Sequence, residues 1–158
     1  MSFYALILFG HSYLRWAIVI CLLVLLFRCV TRTGKPWTQR DERLHVILVA
    51  FFDLQLLLGL ALYFGLSPVT QQFLGNAAQG MKQPVLRFFG VEHVLLGLIA
   101  LVVLHVGRVR SRRSPDARVR RRRVLVSLSI VLVLLLAALP WPGRPDHRPL
   151  LRGLSTES

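Results

Sequence analysis

The sequence predicts an all-α membrane protein: a four-helix transmembrane bundle that runs up-down-up-down. Three observations lead to this fold class. The chain has 158 residues, of which 54% are hydrophobic, and a soluble domain of this size could not bury so large an apolar fraction. The apolar residues gather into four blocks, each close to the length of about 20 residues that crosses a bilayer. The net charge is +13, and Lys and Arg concentrate between the blocks.

Proline residues separate the four blocks. Pro68 ends the second helix and Pro84 begins the third, and the stretch PWPGRP from Pro140 ends the fourth at the membrane interface. We expect one membrane domain over residues 1–142 and a polar, outward-facing tail over 143–158. The predicted helices are Phe3–Phe27, Leu44–Leu66, Val85–Val106 and Val124–Leu139.

The first apolar block is predicted to be a retained transmembrane helix. Arg15 is the first positive residue, so the basic region of a signal peptide is missing, and no A-x-A-like cleavage site follows. Cys21 and Cys29 lie eight residues apart on this helix, which fits neither a C-x-x-C motif nor a disulfide framework. They are interpreted as inert apolar side chains.

The distribution of positive charge predicts the orientation. Arg28–Arg43 holds five Lys and Arg residues and Arg108–Arg123 holds nine, whereas the connection 67–84 holds only Lys82. By the positive-inside rule the two basic loops are cytoplasmic and both termini face the periplasm, in a multi-pass protein of a bacterial inner membrane. The expected partners of these loops are anionic lipid headgroups. Nucleic acid is not expected, because the loops lack aromatic or groove-reading elements.

Ionisable and polar residues inside the predicted helices indicate a site, because such groups are costly in a bilayer. Counting about 1.5 Å per residue from the outer helix ends places His11, Gln55, Glu92 and His93 in one layer. Arg15 lies somewhat deeper and shares a face with His11, from which it is four residues removed. Chance scatter over three helices does not favour such a layer.

Two histidines at one depth on different helices are what axial ligation of haem b requires. His11 and His93 are therefore candidate metal ligands. Gly90 and Gly97 share a face with His93, and they either make room for a flat macrocycle or let another helix approach closely. Gln55 orients an imidazole or hydrogen-bonds a quinone. The candidate cofactor-binding residues are His11, Arg15, Gln55, Arg87, Gly90, Glu92, His93 and Gly97, with Arg15 or Arg87 on a haem propionate.

The polar layer has a second interpretation, as an internal brace without a cofactor. In that case Arg15 pairs with Asp53 or Glu92, and the histidines belong to a buried polar network. His45 and His105, near the cytoplasmic helix ends, form a second histidine pair. Both lie close to arginines, so we expect them to be hydrated at the interface rather than to ligate a second haem.

Several patterns occur in a recognisable order along the chain: HSYLRW, LQLLLGLALYF, LRFFGVEH, GR and PWP. Together they resemble a family of small four-helix bacterial integral membrane proteins, mostly uncharacterised and sometimes labelled cytochrome b-like. The resemblance implies haem, although relatives often carry His where this chain has Asp53. The matching positions are His11, Arg15, Trp16, Gln55, Gly59, Tyr63, Arg87, Glu92, His93, Arg108, Pro140 and Trp141.

The sequence supports two hypotheses on function. The first is a haem b- or quinone-associated protein of an energy-transducing membrane, acting in electron transfer or as an accessory subunit. The alternative is a cofactor-free structural subunit that packs against a larger respiratory or photosynthetic complex. Phosphate-loop, zinc-protease, serine-hydrolase and haem-attachment motifs are missing from the sequence, so catalysis by the chain alone is not predicted. Four helices also lack the inverted repeats of most transporters.

Overall fold

A computed structural model describes residues 2–141, and this part of the chain is helical without any strand. The predicted all-α fold is thus confirmed for the described residues. The tail predicted over 143–158 lies outside them. The elements are α1 Phe3–Thr31, α2 Gln39–Ala61, α3 Pro68–Gly75, α4 Ala77–Gly80, α5 Pro84–Arg87, α6 His93–Arg112 and α7 Ala117–Ala138, with π-helical turns at Leu62–Leu66 and Phe88–Glu92.

Three helices are long and apolar enough to cross a membrane: Phe3–Thr31, Gln39–Leu66 and Pro84–Arg112. The second consists of α2 with its π turn, and the third of α5, a π turn and α6. The fourth long helix, α7, begins with the arginine-rich run 117–123, and its apolar part starts only at Val124. It therefore falls outside this set.

The four long helices form a bundle in which each one packs against two neighbours. α1 contacts α2 and α7, and α6 contacts the same two helices, so α1 and α6 lie at opposite corners. The core is densest toward the end that carries the arginine-rich connections, which we call the basic end. Fully buried leucines there come from every long helix: Leu22, Leu25, Leu48, Leu104 and Leu128.

All four long helices extend further at the basic end than their apolar blocks predicted. α2 begins earlier because Thr38 and Asp41 form a reciprocal capping box. α7 begins earlier because the Asp116 carboxylate accepts hydrogen bonds from two backbone N–H groups of the first turn. Arginine is a good helix former, so these polar stretches continue the helices. Hydropathy thus located the apolar part of each helix but not where the helix ends on the basic side.

Asp41 at the start of α2 ties three helices together at the basic end. Its carboxylate is 0% exposed and accepts a hydrogen bond of 2.7 Å from Arg28 of α1. Arg121 of α7 lies 3.7 Å from the same carboxylate and donates to the Pro36 carbonyl at 2.9 Å. Part of the predicted headgroup-binding arginine run is therefore turned into the protein.

The neighbouring Glu42 connects α2 to α6 and α7. It accepts hydrogen bonds from Arg108 of α6 at 2.7 Å, from Arg120 of α7, and from the Trp37 indole at 3.1 Å. His45, one turn further along α2, was expected to be hydrated, and this expectation is wrong: its exposed fraction is 1%. The Trp37 ring covers it, with ring centroids 6.3 Å apart.

Candidate functional site

A cavity of about 170 Å³ lies between the four long helices, in the half of the bundle away from the basic end. All four helices contribute to its lining, which is largely apolar. Five of the predicted site residues line it, namely His11, Arg15, Gln55, His93 and Gly97. The structure brings these five residues together from three separate helices, as the shared depth suggested. The other three predicted residues, Arg87, Gly90 and Glu92, are not part of the lining.

His11 and Gln55 form one polar wall of the cavity. The His11 Nε2 atom lies 3.2 Å from the Gln55 Nε2 atom. In this orientation of the amide, the nitrogen only donates, so His11 Nε2 accepts and a neutral His11 ring carries its proton on Nδ1. His11 Nδ1 and Gln55 Oε1 are buried and have no hydrogen-bond partner among the described residues.

This wall keeps one unused donor and one unused acceptor whichever way the amide is oriented. If the Gln55 oxygen instead faces His11 Nε2, the amide N–H becomes the unused donor and His11 Nδ1 becomes the unused acceptor. Leaving a buried polar group without a partner costs about 1–3 kcal/mol. Because both residues line the apolar cavity, this pair marks the cavity as a candidate ligand site.

His93 faces the cavity from the start of α6 and is fixed by the end of α7. Its Nδ1 atom lies 2.8 Å from the carbonyl oxygen of Ala138. A carbonyl oxygen only accepts, so Nδ1 carries the proton, and Nε2 of the neutral ring holds the lone pair. Ala138 is among the last residues of α7, whose carbonyls lack partners within the helix. The helix terminus thereby sets the ring orientation.

The two imidazoles contact each other across the bundle. Their ring centroids are 6.1 Å apart and their planes are inclined at 64°. The Phe88 and Phe89 rings also lie close to His93, with ring centroids 5.8 Å and 5.9 Å away. His11 and His93 thus lie at opposite corners of the bundle and meet at its centre.

Arg15 brings a guanidinium group to the lining of the cavity. Its guanidinium lies 5.4 Å from the centre of the Trp16 ring, and no Asp or Glu is found among the described residues of the lining. The brace interpretation assigned Asp53 or Glu92 to Arg15, but the structure gives both carboxylates other partners. Ion pairs of 2.8 Å join Asp53 to His105 and Glu92 to Arg87.

The three glycines near the histidines have different roles. A Cβ atom on Gly97 would meet nothing within 4 Å, so this cavity-lining glycine faces open space. A Cβ atom on Gly90 would lie 2.4 Å from the Phe73 ring, so Gly90 makes room for the α3 side chain. A Cβ atom on Gly59 would lie 3.2 Å from the His11 ring, so Gly59 lets His11 approach α2.

Sequence reasoning missed the two π turns that border the cavity. A π turn inserts one residue and leaves carbonyls without their usual partners. The Tyr63 hydroxyl donates to the Gly90 carbonyl at 2.9 Å, which joins the two turns. The Thr70 hydroxyl lies 2.9 Å from the Tyr63 carbonyl and so fixes α3 over the cavity. The sequence signals for these turns were Tyr63, which lies near Gly65, and Thr70, which lies near Pro68.

Comparisons with known proteins add no relative to this picture. No family model matches the chain, and no curated protein or solved structure shows significant similarity to it. The resemblance to small four-helix bacterial membrane proteins therefore stays a prediction. The functional conclusion depends on the geometry of the cavity.

Proposed function

We propose that this chain is a multi-pass protein of an energy-transducing membrane whose cavity binds the head group of a quinone. In this role it is an accessory subunit that holds a quinone beside a redox partner. The observation that carries the proposal is the buried His11–Gln55 wall, in which one donor and one acceptor have no partner among the described residues. Hydrogen bonds to such a pair suit both quinone carbonyls and quinol hydroxyls.

The size of the cavity supports a single substituted ring. An apolar cavity of about 150 Å³ in another protein holds one benzene molecule, and the cavity here measures about 170 Å³. The proposal therefore needs no rearrangement of the four helices around the ring.

The proposal includes the membrane topology. α7 is the fourth span, with the arginines of its first turns in the headgroup layer of a bacterial inner membrane. The basic end faces the cytoplasm, where its exposed arginines contact anionic lipid headgroups, and both termini lie on the periplasmic side. The cavity then lies in the periplasmic half of the bilayer.

Binding of a short-tailed quinone to the purified chain in lipid nanodiscs tests the proposal. His11→Leu and Gln55→Leu each remove one polar partner, worth about 1 kcal/mol or roughly a fivefold loss of affinity. Leu57→Ala, on the exposed face of α2, is the control and should bind as the wild type does. Equal affinity in all four proteins, or no saturable binding in any, would refute the proposal.

Haem b is the second candidate, favoured by the spacing of the two imidazoles. If both imidazoles held one iron, the distance between their ring centroids would be two metal–nitrogen bonds of about 2.0 Å each plus two ring radii. This sum is close to the observed centroid distance of 6.1 Å. His11 Nε2 faces Gln55, however, and a haem macrocycle is several times larger than benzene. The haem form therefore requires Gln55 to turn away and the cavity to widen. A b-type α-band in the reduced-minus-oxidised spectrum, lost in His93→Ala, would establish it.

A further inference from the structure

The seam between α2 and α6 is crossed by two polar bridges, one on each side of the cavity. Toward the basic end, His105 and Asp53 pair at 2.8 Å. Toward the opposite end, the Tyr63 hydroxyl donates to the Gly90 carbonyl at 2.9 Å. Along the stretch between these two bridges, both helices contribute apolar side chains to the cavity lining, and α6 also contributes a glycine. We call this stretch the window.

The window residues line the cavity and are also partly exposed. From α2 these are Leu56 and Leu60, and from α6 they are Val94, Gly97 and Leu101. The side chains that flank them are strongly exposed, with Leu57 at 63% and Val102 at 60%. Gly97 faces open space where any other residue would place a side chain.

We propose that the window is a lateral opening through which a lipid-soluble quinone enters from the bilayer, with its ring in the cavity and its hydrocarbon tail lying between α2 and α6. This inference rests on the proposed quinone function and adds the route and the class of ligand. A tail placed there contacts only apolar surface, so none of its length is exposed to water. A water-soluble ligand lacks the apolar tail whose burial would favour entry at this depth.

The Asp53–His105 pair sets one limit of the window. Both side chains are about half exposed, at 47% and 46%, in helices long and apolar enough to cross a membrane. An ionisable pair on such a surface is costly unless each group satisfies the other. By joining α2 to α6 below the cavity, the pair holds the seam closed at one end while the apolar stretch above it stays open.

The experiment uses a quinone with a photoreactive azide at the end of a short alkyl tail, bound to the full chain in nanodiscs. Peptide mapping by mass spectrometry should locate the label on the window side chains or on flanking residues such as Leu57 and Val102. Label found instead on α1 or α7, at comparable occupancy, would overturn the window. This readout uses the wild-type chain, so it does not depend on whether a variant folds.

A matched pair of variants tests the same inference. In Gly97→Leu the added Cβ atom meets nothing within 4 Å, and the rest of the side chain narrows the window. In Gly65→Leu the Cβ atom also meets nothing within 4 Å, at an exposed position that is not part of the cavity lining. We expect Gly97→Leu to lose about tenfold in affinity for the tailed quinone, equivalent to about 1.4 kcal/mol, and Gly65→Leu to lose none. A tail-less quinone should be affected much less by Gly97→Leu.

The outcomes separate the two proposals. Equal losses for tailed and tail-less quinones in Gly97→Leu, or no loss in either, would refute the window while leaving the ring site intact. Failure of the wild-type chain to bind either quinone would refute the proposed function and the window together. A selective loss for the tailed quinone would support both.

Discussion

Single residues at the cavity show which part of the site can be deduced from a sequence. Counting along the helices placed His11, Gln55 and His93 at one depth, because helical rise is regular. Their rotation toward one cavity, and the carbonyl that fixes His93, depend on how α7 packs. The role of Gly90 was also beyond the sequence. Because Gly90 has no side chain, the Phe73 ring fits against it. Phe73 lies 17 residues earlier in the chain and on a different helix.

Gly90→Ala tests the packing of α3 over the cavity. The added methyl group would lie 2.4 Å from the Phe73 ring, so the ring must move. Overpacking of this kind costs about 1–3 kcal/mol, and we expect a matching loss of stability in thermal unfolding of the detergent-solubilised protein. Gly65→Ala, which adds its methyl group in open space, should change stability little. Equal stability of both variants would contradict the packing described here.

At the scale of elements, the sequence predicted where helices exist better than where they end. Hydropathy identified each apolar block, and Pro84 begins α5 as expected. Pro68 follows the end of the second long helix at Leu66, as predicted, but it also begins α3, which was not predicted. The π turns escaped prediction because one inserted residue hardly changes an apolar pattern. The basic-end cluster escaped it because Asp41 and Glu42 find their arginines on three other helices, far away in sequence.

Asp41→Ala tests how strongly that cluster holds the helix ends together. The substitution leaves Arg28 and the buried Arg121 without their carboxylate, and breaking a buried ion pair in this way costs about 3 kcal/mol or more. We expect a clear fall in the free energy of unfolding, measured by denaturant titration in mixed micelles. Arg122→Ala removes an exposed charge from the same run and should have little effect. A fall of the same size in both variants would argue against a specific role for Asp41.

For the whole molecule, the arrangement of charge sets the proposed orientation. The basic end collects the arginines of both basic connections, while the connection at the opposite end carries a single lysine, Lys82. The exposed surface between them is apolar, with side chains such as Phe27, Phe64 and Val133 about two-thirds exposed. In a bilayer that surrounds this apolar surface, the cavity lies nearer the membrane face opposite the basic end.

Cysteine labelling of intact cells tests this orientation. Asn76→Cys lies on an exposed site of the sparsely charged connection, and Arg113→Cys lies on an exposed site of the basic end. The native Cys21 and Cys29 are buried, so they should contribute little background. A membrane-impermeant thiol reagent should label Asn76→Cys in intact cells, but Arg113→Cys only after permeabilisation. The reverse pattern would place the cavity in the cytoplasmic half.

The most direct test of the quinone site is a distance measured by solid-state NMR between a bound quinone and the chain. With a ¹³C-labelled quinone carbonyl and ¹⁵N-labelled histidines, a hydrogen bond of about 2.9 Å between nitrogen and oxygen brings the carbon and the nitrogen close enough for a measurable dipolar coupling. We predict this coupling for His11, identified by its loss in His11→Leu. A quinone that stays bound without any coupling to His11 would contradict the site described here.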